Sequence, residues 1–493
     1  MGTPTPNIPP AVHGFSRLLI EPRRPAWIAS RPNAHWLVVA AVCVGAFMGQ
    51  LDASIVTLAL PTLHTEFHAS IGTVEWVALA YLLTLVSAVV AVGRFADTAG
   101  RKLLYTYGFA IFILGSALSG LAPNLPFLIG ARVLQALGAA MLQANSVALI
   151  VQAMPEGMLG RGIGVQGAAQ AVGLAVGPAV GGVLITVGGW RLIFFVSVPT
   201  GVLGMLLGWF LLPRSRHLLA REPFDWLGLL FFVPAVTAPL AAISFGSDLG
   251  WTSPPILGSI VLGLLFAALF IRQDRRDDAP LVDPALFRST PFTRGIESGL
   301  LSYLVMFGVL FVVPFYLESR RGISAATAGL LLAALPVALG LVAPFAGKLA
   351  DRVGSRPVTV GGMLMTMTGL GALAIVRRPE AVLLAELAWI GTGLGAFTPA
   401  NNATIMSTAP RTQSGSAGGI LNMTRGLGTS LGVALTGLIF TLLSGSAVRT
   451  GHLVENAALT RGFIGAMVFL AAAALAAALL AALPDPFQRE AAR

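Results

Sequence analysis

Long apolar runs, broken by short segments rich in arginine, glycine and proline, recur along most of the chain. A helix needs about 20 apolar residues to cross a bilayer core. Seven such runs fill the first half: Trp36–Leu60, Val74–Gly93, Leu104–Ala122, Phe127–Val151, Ile163–Val187, Leu192–Leu212 and Leu227–Phe245. Seven more follow at Pro255–Ile271, Gly299–Leu317, Ala328–Gly347, Val358–Val376, Ala381–Ala400, Ala417–Leu443 and Gly462–Leu483. Lipid offers no partner to a backbone amide, so each run must satisfy its own hydrogen bonds as a helix. The pattern predicts an all-α, polytopic membrane protein with 14 transmembrane helices.

Basic residues orient the spans, because short cytoplasmic loops collect them. With both termini cytoplasmic, most of the 31 basic residues fall on the inner side, in clusters such as Arg94–Lys102, Arg272–Arg294 and Lys348–Arg356. Adding or removing one helix would scramble that bias. Residues 1–35 are polar and lack the apolar core of a signal peptide. They read as a disordered cytoplasmic tail, as do residues 485–493.

Composition narrows the function. Of 493 residues, 56% are hydrophobic and 11% charged, against roughly a quarter charged in soluble domains. The net charge of +10 would suggest nucleic acid in a soluble chain. Here the arginines sit in loops and set topology, so no nucleic-acid partner is expected. The single cysteine, Cys43, lies in the first run and excludes an intramolecular disulfide. His64 and His68 have a zinc-pair spacing without a partner cluster, and read as solvated loop residues. No cluster of His, Asp or Cys gathers on one face of the spans, as a metal site or a membrane-embedded enzyme would need. No Walker-type phosphate loop appears either. The reading is no enzyme, no metal and no cofactor.

The chain repeats itself. Gly93, Asp97 and Gly100 recur 254 positions later as Gly347, Asp351 and Gly354, and Lys102 has a basic counterpart in Arg356. Leu137-Gly138-Ala139…Asn145 recurs as Leu394-Gly395-Ala396…Asn402. Both loop copies fall on one side, so the halves are parallel repeats. This predicts an N-terminal six-helix bundle over 36–213, a C-terminal one over 291–484, and a linker over 214–290 with two inserted helices. Gly93, Asp97, Gly100 and Arg101 with Asp351, Arg352 and Gly354 form a candidate cytoplasmic gate. Its glycines permit tight turns, and its aspartates can cap a helix or pair with a loop arginine. Gly173, Gly177, Pro178, Gly181 and Gly182 crowd one stretch of the fifth span and mark it as a mobile gating helix.

These residues resemble the major facilitator superfamily, and within it the fourteen-span drug:proton antiporters, from Trp36 to Leu483. The repeated Gly-x-x-x-Asp-x-x-Gly loop is similar to the superfamily's signature. Arg132-Val-Leu-Gln135-Ala-Leu-Gly138 resembles its fourth-helix motif, associated with proton coupling. Gly173…Gly177-Pro178…Gly181-Gly182 resembles the fifth-helix motif of exporters, and Leu51-Asp52 through Pro61 the first-helix motif of the fourteen-span group. Thr98 stands where the loop usually has arginine, Ala136 where glycine is common, and Glu318 where glutamine is usual. The first departure weakens the gate in the N-terminal half.

Ionisable residues inside spans are costly and mark function by default. Asp52 in the first span and Arg132 in the fourth lie at matching depth, so they can pair. A static packing pair is the plain reading; a proton-coupling site, in which protonation of Asp52 loosens the pair, is the functional one. Arg425, near mid-depth of the thirteenth span, is expected to face a substrate cavity. Glu386 is a candidate partner for it, and Glu318 a candidate substrate contact. Glu75, opening the second span, reads as interfacial.

The expectation is a proton-coupled antiporter that exports lipophilic or amphipathic compounds, with the proton as coupling ion and the bilayer as surroundings. A dedicated exporter of one metabolite or lipid is the alternative. A monomer is the default. The alanine- and arginine-rich, lysine-poor composition points to a GC-rich bacterial genome, and the expected location is the bacterial cytoplasmic (inner) membrane.

Overall fold

The computed structural model describes residue 21 and residues 24–155, 158–214, 225–277, 282, 284–375, 379–408, 414–444 and 456–483. Most of the N-terminal tail and all of the C-terminal one therefore lie outside the described residues, as do the side chains of Asp97 and Asp351.

Each predicted span falls on a helix: α1 Ala34–Glu66, α2 Trp76–Ala99, α3 Arg101–Gly120, α4 Leu125–Ala153, α5 Leu159–Gly188, α6 Ser197–Leu211, α7 Trp226–Leu249 and α8 Pro254–Asp274. The series continues with α9 Thr290–Phe315, α10 Ala325–Val353, α11 Ser355–Leu373, α12 Glu380–Thr408, α13 Ser414–Ser444 and α14 Asn456–Ala482. No strand occurs among the described residues. Thirteen of these helices are long and apolar enough to cross a membrane. The threonine- and glycine-rich α11 is less apolar. It packs on α12 and α14 as α3 packs on α4 and α6. Local chemistry starts several helices. Asn124 accepts from Phe127 N at 2.9 Å ahead of α4, and Asp225 Oδ1 from Gly228 N at 2.6 Å ahead of α7.

The repeat extends beyond the loops. In the first bundle α1 packs on α5, in the second α9 on α13. Gly173 presses on the backbone carbonyl of Phe47 and Gly177 on the Ser54 side chain and the Leu51 carbonyl; Gly428 and Gly432 press on the carbonyls of Leu300 and Leu304. Gly100 and Gly354 each close one helix and open the next at φ 106 and 88, where a side chain would be strained. Lys102 Nζ donates to the Leu212 carbonyl at 2.7 Å, and Arg356 to the Ala482 carbonyl. Each basic residue thus ties the end of the sixth helix within its own bundle, a favourable place for a cation.

Helix α1 runs from a proximal end, at Ala34, to a distal end, at Glu66. At the distal end one apolar core passes through both bundles, from Ile55–Leu63 of α1 to Leu304–Phe315 of α9 and Ala328–Leu335 of α10. Toward the proximal end the core divides. Val39, Tyr105, Phe109 and Leu149 belong to one bundle, and Phe292, Ile296, Ile405 and Ile420 to the other. The bundles are therefore joined distally and part proximally. His64 belongs to the join: Nδ1 donates to the Ala69 carbonyl at 2.6 Å and the ring packs 6.4 Å from Phe315. It is not the solvated loop residue that its spacing suggests.

Candidate functional site

Asp52 and Arg132 meet as their depths predict. Arg132 Nη1 donates to Asp52 Oδ2 at 2.7 Å, with the side chains 1% and 0% exposed. One turn along α4, Gln135 completes the network: its Oε1 accepts from Arg132 Nη1 at 2.6 Å, and its Nε2 donates to Asp52 Oδ1 at 2.8 Å. Arg132 Nε donates to the Val77 carbonyl at 3.0 Å. Residues three apart share a helix face, which is why one stretch of α4 supplies both groups. The guanidinium also lies 4.2 Å from the ring centre of Tyr81 and 5.7 Å from that of Phe194. A buried ion pair offsets its desolvation only when its remaining donors and acceptors are satisfied, and here both carboxylate oxygens have donors. Gly115 of α3 presses on the Gln135 backbone, fixing α4 in place.

Beside this network a cavity of ≈ 230 Å³ opens between the bundles. Helices α1, α2, α4 and α5 line one side and α9, α10, α12 and α13 the other. Tyr81 lines the cavity whereas Asp52 and Arg132 do not, so Tyr81 separates the ion pair from it. Across the space stands Arg425, as predicted from its depth. Its Nε donates to Tyr303 Oη at 3.2 Å, with the guanidinium 5.3 Å from that ring. Each arginine thus rests on a tyrosine of the cavity wall.

Two parallel six-helix bundles around a central cavity, with a shared loop motif, match one family. The model of the Major Facilitator Superfamily covers residues 42–228, 226–433 and 297–492. The chain belongs to the major facilitator superfamily. Its relatives in that superfamily include the riboflavin transporter RibZ of Clostridioides difficile (strain 630), 34% identical over 82% of this chain and 88% of that one. Another is the multidrug resistance protein Stp of Mycobacterium tuberculosis, 33% identical over 82% of this chain and 75% of that one. A crystal structure of a bacterial homolog to the human lysosomal transporter Spinster, in an inward-facing and unoccupied conformation, shares the fold. Its TM-score is 0.68 at 16% identity, covering 92% of this chain and 97% of that one. The chain is a multi-pass membrane transport protein rather than an enzyme.

Within this superfamily frame, the other predicted residues separate. Glu318 and Glu386 do not line the cavity. Glu318 sits on a single π turn, Tyr316–Arg320, that extends α9. It is roughly 16 Å beyond Phe307, the last α9 residue of the lining, at ~1.5 Å per residue. Glu386 lies roughly 18 Å along α12 from the lining residue Thr398 by the same measure. The nearest described partner of Arg425 is therefore Tyr303, not Glu386. Glu75 is not interfacial either. It is buried between α2, α7 and α13, where Ser244 Oγ donates to Oε2 at 3.3 Å and Gly437 presses on Oε1.

The glycines of α5 serve two neighbours. Gly173, Gly177 and Gly181 face α1 within the bundle, while Gly182 and the Pro178 carbonyl meet Ala325 and Gly329 of α10 across the bundle interface. At the proximal loops, Gly100 and Gly354 turn the chain, Arg101 opens α3, and Arg352 is exposed, whereas Gly93 lies inside α2 and makes no turn. The acidic half of the predicted gate falls on the side chains of Asp97 and Asp351, outside the described residues.

Proposed function

We propose that the chain is a proton-coupled antiporter that exports lipophilic or amphipathic compounds, such as drugs, antibiotics and dyes, by alternating access. The observation that carries the reading is the Asp52–Arg132–Gln135 network and its one-residue separation, through Tyr81, from the cavity. Protonation of Asp52 removes the charge that holds Arg132 and weakens the α1–α4 contact. Substrate in the cavity presses on Tyr81, which carries Arg132, so the two binding events are linked and the linkage is reciprocal. The glycine contacts of α5 with α1 and α10 let the bundles rock about the distal join. With both termini cytoplasmic, the proximal parting faces the cytoplasm, where an exporter collects its substrate. The drug-resistance name of the relative Stp supports the substrate class.

The test is transport in proteoliposomes containing the purified chain and a fluorescent compound chosen from a susceptibility panel. Movement against the compound's gradient should follow an imposed pH gradient and stop when a protonophore collapses it. Protonophore-insensitive accumulation would reject proton coupling.

A further inference from the structure

We infer that the central cavity takes planar aromatic compounds that are neutral or anionic, and turns away organic cations, with Arg425 as the charged contact that decides between them. The inference rests on the export reading for the identity of the substrate site, and deepens it by naming the substrate class.

Among the described residues, the lining holds one charged side chain, Arg425, and no aspartate, glutamate, lysine or histidine. The carboxylates that an organic cation would need are elsewhere. Asp52 is committed to Arg132 and Gln135, while Glu75, Glu318 and Glu386 lie outside the lining. Arg425 itself has no carboxylate within 4.0 Å among the described residues, and its hydrogen bond there goes to the neutral Tyr303 hydroxyl. A guanidinium carries five N–H donors in a planar fork suited to carboxylates and enolates. One is used by Tyr303, so the others are available to a ligand.

The rest of the lining fits the same chemistry. Gln50, Gln143, Gln170 and Asn422 line the cavity half-buried, and none has a side-chain hydrogen bond among the described residues. Each amide offers donors and an acceptor, which suits the carbonyls and phenols of an oxygenated ring system. Gln170 and Arg425 occupy equivalent positions of the repeat, 255 residues apart. The two halves thus face each other with one neutral and one cationic donor. The ring of Tyr303 supplies a flat apolar surface beside them. A cation placed here would meet Arg425 where little water screens the repulsion.

Fluorescein and rhodamine 123 share a xanthene scaffold and carry opposite charge at neutral pH, so they isolate the sign of the charge. Their equilibrium binding to the purified full-length chain in detergent is read by fluorescence anisotropy. Fluorescein should bind about tenfold or more tightly than rhodamine 123, the scale of one unscreened charge contact at short range. Arg425→Gln should remove the preference, and Arg425→Glu should invert it. Should Arg425→Glu fail to fold, as thermal unfolding would reveal, Arg425→Gln carries the test alone. Equal binding, tighter rhodamine 123 binding, or no binding of either dye by the wild type would overturn the inference. So would an unchanged preference in a folded variant. Because the readout is binding, anion preference in a chain that moves no substrate along a pH gradient would reject the export reading alone. Gradient-driven efflux of rhodamine 123 would do the reverse.

Discussion

Arg132 rests on the ring of Tyr81, 4.2 Å from its centre, and Tyr81 in turn lines the central cavity. One aromatic side chain therefore stands between the buried charge pair and the substrate space. A cation on an aromatic face is stabilised by about 0.5–2 kcal/mol. Tyr81→Phe keeps that face and should transport nearly as the wild type does. Tyr81→Ala removes it, and should lower the proton influx that accompanies each substrate molecule. A pH-sensitive dye inside proteoliposomes checks this.

Gln135 matters because it gives Asp52 Oδ1 its donor. In Gln135→Leu that oxygen is left buried without one, a loss of about 1–3 kcal/mol. Thermal unfolding should report lower stability, and the pH dependence of gradient-driven transport should shift as well. A variant with unchanged stability and pH dependence would remove Gln135 from the network.

At Gly437 an added methyl group would collide with the Glu75 carboxylate and come within 3.2 Å of Phe311. Gly437→Ala should destabilise the chain by about 1–3 kcal/mol, the usual scale of overpacking. The fall in melting temperature should be smaller in Gly437→Ala combined with Glu75→Ala, where the obstruction is gone.

The α5–α10 contact tests the distal join. Gly329 presses on the Pro178 carbonyl, so Gly329→Val cannot keep that approach and should favour the distally open state. With Cys43→Ser as background, a cysteine at Thr429 on the cavity wall should then react with an impermeant maleimide from the distal side. The same reporter without Gly329→Val should react slowly there.

Much of this was legible in the sequence, because lipid imposes a strong rule: every crossing segment must be a long apolar helix. The same rule made Asp52, Arg132 and Arg425 conspicuous, and matching depths paired the first two. Uncharged partners left no such signal. Tyr81 carries no charge whose burial is costly, so only packing reveals its part; Gln135 stands in the fourth-helix motif, but its bond to Asp52 shows only in the packing. The place of Glu75 depends on Ser244, 169 residues away on an inserted helix without a repeat counterpart. Charge within a span marks Glu318 and Glu386 as candidates, but it does not say where a cavity ends, and both lie outside the lining. Beside the candidate gate, Lys102 and Arg356 tie helix ends within their own bundles, while the side chains of Asp97 and Asp351 lie outside the described residues.

The coupling of proton movement to substrate movement is proposed to run through Asp52. It is tested most directly by Asp52→Asn in proteoliposomes, assayed both for substrate exchange without a gradient and for uptake driven by an imposed pH gradient. Exchange should survive while gradient-driven accumulation is lost. Full gradient-driven accumulation by Asp52→Asn would contradict it.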